Sequence, residues 1–286
     1  MGGKRGTSND LGERFNLVTV ADQNYVSFLA CFLSSLVEQS PSDEPITVTV
    51  LHDGIRRQDR GALQSLIRHP HQISWRGLDT VVPATNITTE VADLPPTYWG
   101  LLAPLALPHV ARIVYVDSDS IVTAPLGELW KRHLNGRTIA AVQDCLPLAQ
   151  DAVANWEALG FLPTSPYFNA GMMVIDVPKW LASDVSSRVL LTCRENRTHL
   201  LAQGRWPQHE QYGLNVVLRD DWTRLPSYWN HWSFAQGGDH RIVHYLGGGK
   251  PALSGCRPEF RALFERTLAR TPYCTVGLPE VVPPGW

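Results

Sequence analysis

Two hydrophobic periods alternate along the first part of the chain. Phe15–Val20 is a short β-rich run, Ala21-Asp22-Gln23-Asn24 reads as a turn, and apolar residues then recur at helical spacing from Tyr25 to Val37. The cycle repeats. Ile46–Leu51 alternates apolar residues with threonine, His52-Asp53-Gly54 turns the chain, and Arg57–Arg68 continues as an amphipathic helix. A β-α-β-α order predicts a parallel sheet covered by helices on both faces. Ile113-Val-Tyr-Val116 is a continuous apolar run, the signature of a buried strand, and it ends in Asp117-Ser118-Asp119. Further strands are expected near Thr138–Val142 and Gly171–Ile175, and helices near Lys179–Glu195 and His209–Leu218. The fold class is therefore α/β: Rossmann-like, with a mostly parallel central sheet flanked by helices.

Composition narrows the class further. The 286 residues are 44% hydrophobic and 18% charged, ordinary for a chain with one large packed core. A net charge of −2 argues against a nucleic-acid partner or a broad membrane surface, since both are held by clustered Lys and Arg. The five cysteines are scattered with no C-x-x-C pair, which indicates neither a disulfide framework nor a zinc knot and makes a reducing cytoplasm the expected location. The polar start MGGKRGTSND has no signal-peptide core. The longest apolar run, Val26–Val37, is broken by Ser34 and Ser35 and is too short for a transmembrane span. Asn86-Ile-Thr88 and Asn196-Arg-Thr198 fit a glycosylation sequon and are read as chance matches.

Two separate stretches carry the chemistry. Asp117 and Asp119 stand just beyond the carboxyl end of a central strand, where open α/β sheets bind ligands. Two such carboxylates repel when desolvated and become favourable when a hard divalent cation lies between them. The stretch His244-Tyr-Leu-Gly247-Gly-Gly-Lys250-Pro251 offers an imidazole, glycines that let backbone amides approach a phosphate, and a lysine charge, a set suited to a diphosphate. A mixed carboxylate and imidazole set suits Mn2+, with Mg2+, which prefers oxygen, as the alternative ion. Taken singly, D-x-D also reads as a solvated turn, His244 as a core histidine and the glycines as a flexible turn; their co-occurrence favours the metal.

From Phe15 to Pro251 the chain resembles glycosyltransferase family 8, the retaining galactosyl-, glucosyl- and glycogenin-like enzymes of GT-A fold. The likeness rests on five motifs in order: Val20-Ala21-Asp22-Gln23-Asn24-Tyr25, Val114–Asp119, Tyr167-Phe168-Asn169-Ala170-Gly171, Glu210-Gln211 ahead of Asn215, and His244-x-x-Gly247-x-x-Lys250-Pro251. The resemblance implies a metal held by Asp117, Asp119 and His244. It implies a donor UDP-sugar whose uracil and ribose meet Ala21, Asp22 and Asn24 and whose diphosphate meets Gly247 and Lys250. Ser118 and Gly171 belong to the same donor set, and Asn169, Ala170, Glu210 and Gln211 surround the sugar. Gln211, Glu210 and Asp119 are the catalytic candidates. Because an amide is a poor nucleophile, Gln211 at the expected nucleophile position favours front-face attack by the acceptor hydroxyl.

The chain departs from the family pattern where Gly100 follows Trp99 in place of an arginine, where Tyr212 replaces an acid and where Ala252 replaces a tryptophan. The expected organisation is a disordered segment at 1–14, a GT-A domain at 15–256, and a C-terminal helix with a Pro-rich tail at 257–286. The expected acceptor is a soluble natural product or saccharide, bordered by Trp206, Tyr228, Trp229 and Trp232. A sugar-nucleotide-binding pseudoenzyme is the alternative, and a metal-dependent phosphohydrolase a remoter one that lacks an evident general base.

Overall fold

The computed structural model describes residues 14–81, 95–201 and 209–279. The start of the chain, the Asn86 sequon, Trp206 and the last seven residues of the tail lie outside them. Ten strands are present among the described residues: β1 Phe15–Asp22, β2 Ile46–Asp53, β3 Gln72–Gly77, β4 Arg112–Val116, β5 Ser120–Val122, β6 Ile139–Leu148, β7 Pro166–Asp176, β8 Trp222–Leu225, β9 His231–Trp232 and β10 Ile242–His244. Seven of them form one sheet in the order β3-β2-β1-β4-β7-β6-β8. Every neighbouring pair in it is parallel except the two pairs made by β7, so β7 alone runs backwards. The mostly parallel α/β sheet read from the sequence is borne out.

Because side chains alternate across a strand, the sheet buries two different faces. Val18, Tyr115, Ala141 and Met173 pack on one side with Tyr98, Trp180, Val189 and Leu214. Leu17, Val114, Val116, Val142 and Met172 pack on the other with Leu29, Leu33 and Leu63. The helix Val26–Gln39 lies between that second face and a third cluster, in which its Phe28 and Cys31 meet Tyr245 and the Phe260 and Phe264 of helix Pro258–Leu268. Packing on two sides explains why ten of its fourteen residues are buried and why the segment is nearly continuous in apolar residues. One of the serines that interrupts the run joins two elements, since Ser35 Oγ accepts a hydrogen bond of 3.0 Å from the Val122 amide and ties β5 to this helix.

A small second sheet, β5-β10-β9, stands beside the main one, with β10 antiparallel to β5 and parallel to β9. Strands of two or three residues are too short to show a period, and β9 and β10 were not foreseen. Nor was β3, an edge strand with no fully buried residue, or β8. The helix expected over Lys179–Glu195 is two helices, Val177–Ala182 and Val185–Glu195. The break is at Asp184, which takes the left-handed conformation (φ 45°) that aspartate tolerates better than most residues, and whose carboxylate accepts from Ser187 Oγ at 2.8 Å.

Candidate active site

The reversal of β7 assembles the site. In parallel strands the carboxyl ends share one edge of the sheet, so β1 and β4 bring Asp22 and Asp117 there. Antiparallel β7 brings its beginning to the same edge. Val116 faces Met172, and one step further the Asp117 amide donates to the Gly171 carbonyl at 2.9 Å. Residues 169–171 and 117–119, some fifty positions apart in sequence, are thus neighbours through register alone. β10 supplies the third piece, because the Tyr245 amide donates to the Asp119 carbonyl at 2.9 Å and fixes His244 beside the pair.

Ligand atoms of Asp117, Asp119 and His244 all lie within 4.8 Å of one another. His244 Nε2 is 3.2 Å from Asp119 Oδ1 and 3.6 Å from Asp117 Oδ2, yet this fully buried nitrogen makes no well-formed hydrogen bond. The other ring nitrogen, Nδ1, lies 3.0 Å from Asn230 Oδ1. Asn230 Nδ2 donates to Asn169 Oδ1 at 2.8 Å, and Asn169 Nδ2 donates to Asp144 Oδ2 at 2.9 Å. A carboxylate only accepts, so Asp144 sets the direction of both amides. In neutral His244 the chain places the proton on Nδ1 and leaves the Nε2 lone pair facing the aspartates, as a metal ligand requires. Space is set as closely: a Cβ on Gly171 would stand 2.3 Å from His244 Cε1 and 2.9 Å from Asp117 Oδ2. The residues present fit a divalent cation.

Opposing charges tune the cluster. Burial pushes the Asp119 carboxyl upward, but the Lys250 ammonium, which donates to Asp119 Oδ2, and His244 outweigh it and hold the group well below the usual carboxylate range. For Asp117 burial wins, helped by the charge of Asp119, and raises it to about 6 against the opposing pull of His244 and of the Tyr115 hydroxyl. His244 is depressed by burial but raised overall by the two aspartates. Lys250 is itself buried, its Nζ 4.9 Å from the Tyr25 ring centre and 4.8 Å from that of Phe28, where the ring faces favour a cation.

The remaining candidates fall into three groups. Asp22 caps the turn after β1, its Oδ1 accepting from the Asn24 and Tyr25 amides at 2.8 and 3.0 Å, with Ala21 buried behind it and Asn24 exposed. Ser118 is buried between the two aspartates in sequence, and Gly247 opens the turn Gly247–Gly249 that leads to Lys250. Helix His209–Val217 carries the third group. Gln211 Oε1 accepts from the Ala170 amide at 2.9 Å and its Nε2 donates to Asp144 Oδ2 at 3.1 Å, so both ends of the side chain are engaged inside the protein. One turn on, Asn215 holds both the amide and the carbonyl of Phe168, at 2.8 and 2.9 Å. Glu210 Oε2 is buried with no hydrogen-bond partner among the described residues, and burial, with the charge of Asp117 adding, raises that carboxyl well above its ordinary value.

Asp144, Asn230 and Tyr115 were missed at the sequence level. Nothing in local pattern marks a lone Asp on a strand or a lone Asn in a loop; only the fold shows that they touch. Tyr212, at the altered position, is buried in the core with its hydroxyl on Asn155 Oδ1 at 3.1 Å. The aromatic candidates separate. Trp229 is 1% exposed and covered by the Arg241 guanidinium at 4.9 Å, so it belongs to the core and offers no face to an acceptor, whereas half-buried Trp232 is the register partner of His244.

Comparison with known proteins agrees with the geometry. Among solved structures, the WbbM bifunctional glycosyltransferase matches with a TM-score of 0.76 and 20% identity, over 93% of this chain and 51% of that one. The galactosyltransferase LgtC, solved in complex with donor and acceptor sugar analogues, matches with a TM-score of 0.72 and 20% identity over 93% and 98%. These neighbours are GT-A glycosyltransferases, and the fold is GT-A. General stress protein A of Bacillus subtilis (strain 168) is 23% identical over 94% of this chain and 98% of its own. The probable galacturonosyltransferase-like 7 of Arabidopsis thaliana is 36% identical over 66% of this chain, which spans 58% of that protein. The model of glycosyl transferase family 8 matches residues 16–254, from the first strand through the lysine that reaches Asp119 and just beyond it. With the aspartate pair, the histidine and the backward strand all lying inside that match, the chain belongs to glycosyltransferase family 8 and is a glycosyltransferase.

Proposed function

We propose that this protein transfers a hexose from a UDP-sugar, the glucose, galactose or N-acetylglucosamine donor, to an acceptor hydroxyl with retention of configuration. The observation that carries this reading is the convergence of Asp117, Asp119 and His244 at the carboxyl edge of the sheet, with a buried imidazole nitrogen facing the carboxylates. These three would hold a divalent cation, Mn2+ rather than Mg2+, which when bound supplies positive charge against a diphosphate leaving group. The chain's own residues do the rest. Asp22 presets the loop for the nucleoside, Ala21 and Asn24 flank it, and Gly247 with Lys250 forms the phosphate side, where the ammonium adds a second positive charge. Asn169, Ala170, Gly171 and Glu210 border the sugar; the neutral Glu210 carboxyl can donate to a sugar hydroxyl. The acceptor is a soluble saccharide or natural product, and the enzyme works in the bacterial cytoplasm. No helix among the described residues is long and apolar enough to cross a membrane.

The internal hydrogen bonds of Gln211 support front-face attack, because a side chain holding the Ala170 amide and Asp144 at once is a scaffold and not a free nucleophile. Gln211→Glu is expected to set two carboxylates against each other at this point and to lower stability by roughly 1–3 kcal/mol at pH 8. The loss should shrink as pH falls to 5 and one proton is shared. A pH-independent change in melting temperature counts against this role. The proposal as a whole is tested by thermal shift with UDP, UDP-glucose, UDP-galactose and UDP-N-acetylglucosamine, each with and without Mn2+, followed by UDP release in the presence of an acceptor library. Failure of every uridine nucleotide to raise the melting temperature in the presence of Mn2+ overturns it, and binding without UDP release points to the pseudoenzyme.

Metal uptake should depend on pH. Protons compete for Asp117, raised to about 6, and for His244, raised by both aspartates. Mn2+ affinity measured by calorimetry is expected to be highest above pH 7 and to fall steeply between pH 7 and pH 5; an affinity flat over that range contradicts the assignment of these ligands.

A further inference from the structure

Asp117 poses a problem that its two partners in the cluster do not. Asp119 is gripped by Lys250 and His244 by Asn230, but a third of the Asp117 side chain is open to solvent, and the terminal torsion of an aspartate is broad and nearly two-fold. Something must fix the plane of the carboxylate so that one of its two equivalent oxygens points at the imidazole. Two positions back on β4, and so on the same face of the sheet, Tyr115 donates its hydroxyl to Asp117 Oδ1 at 2.7 Å. Oδ2 is the oxygen left toward His244.

The phenol that does this has almost no free space. Tyr115 is 3% exposed, and Gly100 of the 3-10 helix Pro96–Leu102 lies against it. A Cβ on Gly100 would lie 2.8 Å from both Cζ and the hydroxyl oxygen of Tyr115, closer than real carbons come. The ring cannot retreat without disturbing the cluster in which Tyr98, Leu101, Leu102 and Met173 pack around it. A phenol is protonated at neutral pH, so the hydroxyl is a donor.

We propose that Tyr115 is the positioning residue of Asp117, and that Gly100 is the gap that lets its hydroxyl reach the carboxylate, so that positions 100 and 115 act as one device. The proposal rests on the metal reading given above. It assigns a function to Gly100 in this chain: a side chain added there would act on the metal site through Tyr115.

Four proteins test it: the unmodified chain, Gly100→Ala, Tyr115→Phe and the double variant. Mn2+ affinity is measured by calorimetry in the presence of UDP, thermal unfolding without metal checks that each variant folds, and a crystal structure of Gly100→Ala is determined. Each single variant is expected to bind Mn2+ about tenfold more weakly, the lower end of what loss of a ligand's supporting partner costs. The double variant should bind no worse than Tyr115→Phe, since with the hydroxyl gone there is no bond to Asp117 left for the alanine to break. In the crystal the Tyr115 hydroxyl should have left Asp117. Unchanged affinity in Gly100→Ala, losses that multiply to about a hundredfold in the double variant, or a retained Tyr115–Asp117 bond overturns the proposal. If the unmodified chain takes up no Mn2+, the metal reading fails, and the crystal structure alone still decides whether position 100 controls the contact.

Discussion

Replacement of His244 by alanine is expected to abolish the Mn2+-dependent rise in melting temperature and to lower transfer by roughly a hundred- to a thousandfold, the range seen when one group that stabilises developing charge is removed. The imidazole contributes in two ways. Its Nε2 faces both aspartates from a buried position, and its ring fills the space that Gly171 leaves open, where a Cβ would lie 2.3 Å from Cε1. Alanine therefore removes the proposed ligand and leaves a small polar cavity, with Asn230 Oδ1 deprived of its partner. Binding of UDP without metal should change little, because Asp22 and the turn at Gly247–Gly249 are undisturbed. His244→Gln should recover part of the packing and little of the metal response. Retention of more than a tenth of the activity in His244→Ala would mean that the divalent ion is held elsewhere.

The parts of this site that were legible in the sequence are those that depend on short stretches. Asp117-Ser118-Asp119 at the end of an apolar run, and the glycine-rich turn after His244, could be read because strand ends and turns are local. The strand under His244 could not be read. It has three residues, and its pairing with Ser120–Val122 is a contact between segments about 120 positions apart. Asp144 is a similar case. It stands on β6 among Gln143 and Cys145 with no motif around it, yet it accepts from Asn169 and Gln211 and orients the amides on which His244 depends. The break at Asp184 escaped because hydrophobic spacing continues across it. Gly100 was legible only as a departure; its physical reason, the phenol of Tyr115, came from packing.

The two aspartates should respond in opposite ways to the same substitution. Folding raises the proton affinity of Asp117 to about 6, above its value in an unfolded chain, so its ionised form costs stability at pH 7. Folding lowers that of Asp119, whose charge therefore adds stability at every pH above the unfolded value and is lost only as pH falls through the depressed one. Asp117→Asn removes an unfavourable charge from a partly exposed site, and the metal-free protein should be as stable as the original or slightly more so. Asp119→Asn takes the counter-charge from Lys250, an ammonium only 2% exposed, and a buried cation left alone typically costs about 3–5 kcal/mol. The rings of Tyr25 and Phe28 offset part of this, which places the expected loss near the lower figure. Both variants should lose the response to Mn2+. Denaturant unfolding at pH 7 without metal, set beside Mn2+ titration, separates the two effects: one carboxylate is present for the ion alone, the other for the ion and for the lysine beneath it. Equal stability losses in the two variants would show that Lys250 does not depend on Asp119 in the folded chain.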